Sequence, residues 1–183
     1  MSKALIVYGT RTGTAAISAQ EIAQTLQKQG IETKVVDAKK EKIKSINEYD
    51  LIVVGSGIQM GRWTGEPEDF LKKFQKELAG KKLALFVNCG SAAEKMNPDK
   101  PEIAANAKTK YLDEKVAKYN LKCTALGFFG AIYNFNTMSW IMKKGMENER
   151  PKLAANYKET QPGVYDTRDI EAIHKWTLEL TTA

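Results

Sequence analysis

Tyr8-Gly9-Thr10-Arg11-Thr12-Gly13-Thr14-Ala15 follows the apolar run Ala4-Leu5-Ile6-Val7 and opens a segment of helical period. An extended run broken by glycines and hydroxyls, then continued as a helix, leaves a cup of backbone N–H groups at the positive end of the helix dipole. Such a cup suits an anion. The hydroxyls of Thr10, Thr12 and Thr14 can donate to phosphate oxygens, and Gly13 lets the main chain approach without a Cβ. A nucleoside-triphosphate loop needs a lysine after its second glycine, and none follows Gly13. A dinucleotide fingerprint needs three glycines at fixed spacing, and only Gly9 and Gly13 are present. The same string also suits a plain strand-to-helix turn capped by threonine.

Working outward, residues 14–29 carry Ser18, Ile22 and Leu26 at a spacing of four, with Ala19 and Ala23 beside them, and Gly30 closes the segment as a helix stop. Thr33 to Val36 is a short β-branched strand. Leu51-Ile52-Val53-Val54 runs without alternation into Gly55, as a strand covered on both faces does. Glu66-Pro67-Glu68 begins a helix whose stripe is Phe70, Leu71, Phe74 and Leu78, and which Gly80 ends. Leu83 to Val87 is a fourth strand, residues 102–119 a helix, Lys122 to Phe129 a fifth strand, and a last helix from Thr167 or Arg168 buries Ile170, Ile173, Trp176 and Leu180. Five strands alternating with helices predict an α/β sandwich with a parallel sheet and helices on both faces. The 183 residues suit one domain spanning 1–183.

Composition narrows the function classes. The 28 Lys+Arg exceed the 22 Asp+Glu by 6, but the lysines are interspersed with acids, which describes a solvated basic surface. No basic run with interleaved aromatics and no nucleic-acid module is present, so nucleic acid is not expected as a partner. Met1-Ser2-Lys3 leads directly into a short apolar run, unlike a secretory signal, and no run is long enough for a transmembrane segment. Cys89 and Cys123 form no C-x-x-C, which points to reduced thiols and a cytoplasmic location. The single histidine, His174, has no neighbouring ligands, and no metal site is expected.

Ligands of open parallel sheets sit beyond the carboxyl ends of the strands, so the residues just past the first, third and fourth strands matter most. After the third comes Ser56-Gly57-Ile58-Gln59-Met60-Gly61-Arg62-Trp63-Thr64-Gly65. Its glycines admit a flat ligand, while Met60 and Trp63 offer faces to stack on it; the alternative is a loop whose tryptophan plugs the core. After the fourth comes Asn88-Cys89-Gly90-Ser91-Ala92, a second wall of N–H donors.

With these three loops the chain resembles the flavodoxin family along nearly its whole length, and within it the branch of the menaquinone-dependent protoporphyrinogen dehydrogenases. The features that carry this are Tyr8 to Gly13, Gly55 to Gly61, Phe128-Phe129-Gly130-Ala131-Ile132 and Tyr165 to Ile173. The resemblance implies a flavodoxin-like three-layer sandwich with strand order 2-1-3-4-5, an order taken from the family rather than from this sequence. It implies FMN as cofactor, with Thr10, Arg11, Thr12, Gly13, Thr14 and Ala15 holding the phosphate. Ala15 stands where the family's loop has its last threonine, which removes one donor. Ser56, Gly57, Ile58, Gln59, Met60, Gly61, Arg62 and Trp63 on one side, and Asn88, Cys89, Gly90, Ser91 and Ala92 on the other, would flank the isoalloxazine ring. Met60-Gly61 replaces the Trp-Gly of many flavodoxins, so stacking falls to Met60 or Trp63.

Two function classes follow from the resemblance. One is an electron carrier that exchanges with a redox protein such as a ferredoxin or a reductase and has no catalytic side chains. The other is an FMN-dependent oxidoreductase acting on a quinone or porphyrinogen. The apolar-rich segment from Ala131 to Met146 bears on the choice. It can cover the sheet edge, dock a planar substrate, or make a peripheral membrane contact with Lys143 and Lys144 at the headgroups. Cys89 reads as a buried structural thiol, because no base stands near it in the sequence.

Overall fold

Three of the apolar runs lie side by side at the centre of one sheet in the computed structural model, which describes residues 2–182. In chain order the first half comprises β1 (Lys3–Gly9), α1 (Thr14–Lys28), β2 (Glu32–Asp37), β3 (Leu51–Gln59), β4 (Arg62–Trp63), α2 (Gly65–Lys73), α3 (Gln75–Leu78) and β5 (Lys82–Asn88). Two short 3-10 turns, Gly90–Ala92 and Glu94–Met96, lead to α4 (Pro101–Lys108), a π-helical turn at Thr109–Asp113, and α5 (Glu114–Lys118). Then come β6 (Ala125–Phe129), β7 (Ile132–Asn134), α6 (Trp140–Gly145), α7 (Arg150–Asn156), β8 (Glu159–Gln161), β9 (Val164–Asp166) and α8 (Ile170–Thr182).

The main sheet has the order β2-β1-β3-β5-β6 with every neighbour parallel, so the flavodoxin-like α/β expectation holds, as does the family's order of the five parallel strands. Its inner strands are apolar throughout because alternate side chains enter different layers. Leu5, Val7, Ile52, Val54, Leu83 and Leu85 pack with Phe70, Leu71, Phe74, Leu78 and Leu112. Ala4, Ile6, Val53, Ala84 and Phe86 pack with Ile22 and Leu26 of α1 and with Ile173, Trp176 and Leu180 of α8. Among the described residues no helix is long and apolar enough to cross a membrane.

Several boundaries differ from those the sequence predicts. The stretch after Val54 continues as strand to Gln59 and turns back through Met60 (φ 50) and Gly61 (φ 73) into β4. Two successive positive φ values are those of a type I′ hairpin turn, whose twist suits the flanking strands. The helix after Glu66 is interrupted at Phe74, and the one over 102–119 contains the π turn. The fifth parallel strand begins at Ala125, with Thr124 N–H bonded to Leu83 O (2.7 Å) as lead-in. The last helix begins at Ile170, with the Asp169 carboxylate accepting from Ala172 N–H (2.9 Å) at its start. Residues 131–166 form a small antiparallel sheet of order β7-β9-β8 with its own apolar cluster, in which Phe135, Leu153 and Tyr165 meet Ala93 and Met96.

The end of β1 is the tightest point of the frame. A Cβ on Gly9 would stand 2.1 Å from Thr64 Oγ1 and 2.6 Å from the Pro67 ring. Gly9→Ala is therefore expected to push α2 off the sheet edge and cost about 1–3 kcal/mol, read as a lower urea midpoint. An unchanged midpoint would show that the helix start yields freely.

Candidate functional site

Strand register brings the three loops together. Gly9 pairs with Ser56, Gly57 with Asn88, and Asn88 with Phe129, so β1, β3, β5 and β6 end at one edge. A Cβ placed on Gly57 would stand 4.0 Å from both Gly9 O and Thr10 Oγ1. The first two loops thus flank a cradle that the missing side chain leaves open.

Within the first loop, Thr10 Oγ1 accepts from Gly13 N–H (2.9 Å), which folds residues 10–13 back on themselves. Gly13 takes φ 90 at the start of α1, with nothing within 4 Å of where its Cβ would be, and no acid occupies the first turn. The first-turn N–H groups that follow have no intrahelical acceptor and carry the positive end of the dipole. Thr12 is exposed, whereas Thr14 and Ala15 are buried. The Thr14 hydroxyl accepts from Ile132 N–H (3.2 Å), so it ties the loop to β7. Arg11 reaches across to Glu66, donating at 2.9 and 3.0 Å. Burial raises the Glu66 carboxyl, but the Arg11 hydrogen bonds and charge, together with a backbone hydrogen bond, hold the group below its usual range.

In the second loop the residues divide by direction. Ser56 is fully buried, and its hydroxyl accepts from Thr64 N–H (3.0 Å) and lies 3.2 Å from Thr64 Oγ1, latching the hairpin to the start of α2. Ile58 packs against the core, and Gln59 pairs with Arg62 across the hairpin. Met60 is 88% exposed at the turn, with Arg62 exposed beside it. Trp63, one of the two stacking faces that the sequence offers, is instead in the core at 5% exposure, its Nε1–H donating to Tyr111 O in the π turn (2.7 Å). Of that pair only Met60 is free at the edge. Lys115 lies over the Trp63 ring at 5.5 Å and pairs with Glu68, which also accepts from Tyr119 Oη–H (3.0 Å).

The third loop is held from behind. Asn88 is 2% exposed; its Nδ2 donates to Gly130 O (2.8 Å), and its Oδ1 has no hydrogen-bond partner. Cys89 N–H donates to Phe129 O (2.9 Å), and Ala92 N–H to Cys89 O (3.1 Å), which curls Gly90, Ser91 and Ala92 into a 3-10 turn. Two tyrosines reach these loops, Tyr133 at Gly90 and Tyr111 at Gly61. A Cβ on Gly90 would stand 2.1 Å from the Tyr133 hydroxyl, and one on Gly61 would stand 3.8 Å from the Tyr111 hydroxyl and 3.6 Å from Lys110 Nζ. No local pattern marks them; they arrive from the π turn and from β7. Among the described residues no three or more His, Cys, Asp and Glu side chains gather as a metal site, and His174 Nε2 lies 3.2 Å from Glu21 Oε2.

The model of the flavodoxin domain matches residues 5–159. The chain belongs to the flavodoxin domain family. A flavodoxin of Maridesulfovibrio salexigens is 27% identical over 97 residues, which are 50% of this chain and 66% of that protein, just under two thirds of its length. Among solved structures, a short-chain flavodoxin associated with a non-canonical PDU bacterial microcompartment superposes with a TM-score of 0.61 at 16% identity, covering 100% of this chain and 98% of that one. The flavodoxin of Fusobacterium nucleatum bound to flavin mononucleotide superposes with a TM-score of 0.52 at 16% identity, over 100% and 98% of the two chains. At these identities the superpositions speak for the flavodoxin fold alone.

Two thiols and a tyrosine of this flavodoxin domain are among the groups that keep their protons longer than usual. Burial pushes up the Cys89 thiol, partly offset by hydrogen bonds from Ser91, and pushes Cys123 up to about 11 and Tyr133 up to about 12. Above 9.0, the ordinary thiol value, the unfolded chain releases protons that the folded chain still holds, so stability falls as pH rises. The urea midpoint should decline from about pH 9 upward, and Cys123→Ser should flatten the part between roughly pH 9 and 11. A wild-type midpoint constant to about pH 10.5 would contradict these raised values.

Proposed function

We propose that the chain binds FMN at the edge formed by the three loops and serves as an electron carrier between redox proteins. The observation that carries this reading is the open cradle at Gly57, which faces Gly9 O and Thr10 Oγ1 beside a helix start with no first-turn acid. The donor set fits a phosphate monoester: first-turn N–H groups of α1, the exposed Thr12 hydroxyl and the Thr10 hydroxyl hydrogen. The orphaned Asn88 Oδ1 is an acceptor at the same strand ends, matched to a ring that carries an N–H. Family membership supports the same cofactor.

When bound, FMN supplies one- and two-electron chemistry, and the protein supplies binding, orientation and potential. Thr10 and Gly13 shape the phosphate turn, Arg11 and Glu66 fasten it to α2, and the hairpin turn at Met60-Gly61 faces Tyr111 and Lys110. Among the described residues neither Arg62 nor Lys110 forms an ion pair, so both place uncompensated positive charge beside the turn. Positive charge there favours the more negative, reduced cofactor. Burial keeps the Cys89 thiol protonated, so it is not a ready nucleophile.

A second reading is an FMN-dependent oxidoreductase of the protoporphyrinogen dehydrogenase type, acting on a quinone or porphyrinogen. A cavity of about 530 Å³ that starts at Ser91 and is lined by Lys95, Asn97, Lys100 and Ile103 favours it. Turnover of protoporphyrinogen or a quinone by the FMN-loaded chain would decide for this reading. Rapid exchange with a redox protein, and no such turnover, would decide for the carrier.

Purified chain is expected to quench free FMN fluorescence with one-to-one stoichiometry. Gly57→Val, whose Cβ meets nothing closer than 4.0 Å, should fold normally yet weaken FMN by more than about tenfold, or 1.4 kcal/mol. Equal affinity in the variant would remove the cradle from the site.

A further inference from the structure

The segment that carries α6 uses most of its apolar side chains inward. Phe135 is buried, and Met138 and Met146 pack against the same small cluster. Trp140 and Ile141 do the opposite, standing 73% and 65% exposed at the first two positions of the helix. Of the large hydrophobic side chains that the described residues leave exposed, they are the only adjacent pair. Lys143 and Lys144 follow, both exposed and in no ion pair among the described residues. Beside them a cavity of about 410 Å³ is lined by Phe135, Asn136, Lys143, Lys144, Glu147 and Arg150, three cations to one carboxylate, with the Arg150 guanidinium 4.9 Å from the Phe135 ring centre.

We propose that this tip is a peripheral membrane anchor that seats Trp140 and Ile141 at the headgroup level of a bilayer rich in anionic phospholipid, with Lys143, Lys144 and Arg150 on the headgroup phosphates. Charge selects the occupant: Lys143, Lys144 and Arg150 form no ion pair among the described residues, and tryptophan flanked by lysine is the pairing that bilayer interfaces favour. Size points the same way. Two side chains cover on the order of a few hundred Å², far below the roughly 1,200 Å² of a stable protein interface. They suffice only for weak, reversible contact helped by electrostatic attraction. The small sheet at whose edge the tip lies also touches the loop edge, through Ile132 N–H on Thr14 Oγ1 and Tyr133 against Gly90. Anchoring therefore holds that edge near the bilayer whether or not FMN is the ligand.

Tryptophan emission of the full chain tests this directly, because Trp63 and Trp176 are already buried at 5% and 8% exposure and Trp140 alone can be transferred. With vesicles of mixed phosphatidylglycerol and phosphatidylcholine, the emission should shift to the blue, become shielded from acrylamide, and revert in high salt. Phosphatidylcholine alone should give no shift. In flotation with the anionic vesicles, Trp140→Ser with Ile141→Ser, and separately Lys143→Glu with Lys144→Glu, should each lower the bound fraction by about tenfold, with far-UV circular dichroism unchanged. Unchanged emission with anionic vesicles, equal binding to phosphatidylcholine, or a shift that grows with protein concentration in the absence of lipid would each overturn the proposal, the last in favour of a second copy of the chain.

Discussion

The close approach of β1, β3 and the start of α2 is the constraint on which the functional edge depends. Gly9 has no room for a side chain beneath Thr64 and Pro67, and the buried Ser56 hydroxyl accepts from Thr64 N–H. These contacts fix where the hairpin leaves the sheet and where α2 begins. From α2, Glu66 reaches Arg11 of the first loop and Glu68 reaches Lys115 and Tyr119. One packed corner thereby positions both the first loop and the hairpin beside it. Burial raises the Glu68 carboxyl, yet the hydrogen bonds from Lys115, Tyr119 and Lys118 and the charge of Lys115 together hold it below its usual range, so the ionised form fastens α2 to α5.

The layered sheet is legible in the sequence because its determinants are local and periodic. Leu51 to Val54 and Leu83 to Val87 are apolar on both faces, and each ends in a glycine-bearing loop, a pattern that by itself assigns them to the centre of a parallel sheet. The turn after β1 is legible for the same reason, since Thr10 and Gly13 are three residues apart and fold on each other. What stays hidden depends on distant partners. Whether Trp63 faces a ligand or the core is decided by the Tyr111 carbonyl, forty-eight residues away, which the π turn offers to it. The hairpin escapes sequence reasoning because Met60 is an unusual residue for positive φ; only Gly61, flanked by apolar and polar alternation, hints at it. Tyr111 and Tyr133 reach the loops from separate elements and leave no mark in their own neighbourhoods.

The segment after the fifth parallel strand forms a second, smaller unit beside the main sheet. It is a small sheet with its own core, joined to the first loop by the Thr14 hydroxyl and to the third loop by Tyr133. Thr14 thus does two jobs at once: it starts α1, and it ties the small sheet to the first loop. Ala15, standing where the family's loop has a hydroxyl, is wholly buried and could not carry one to the edge without finding it a partner.

The central claim is that one ligand touches all three loops at once. An amide-resolved NMR titration of the full chain with FMN tests it most directly. The largest shifts are expected at residues 12–16, 57–61 and 88–92, saturating together at one equivalent. Shifts confined to the cavity beside Lys143 and Arg150, or to the one between Ala38 and Phe70, with the three loops undisturbed, would contradict it.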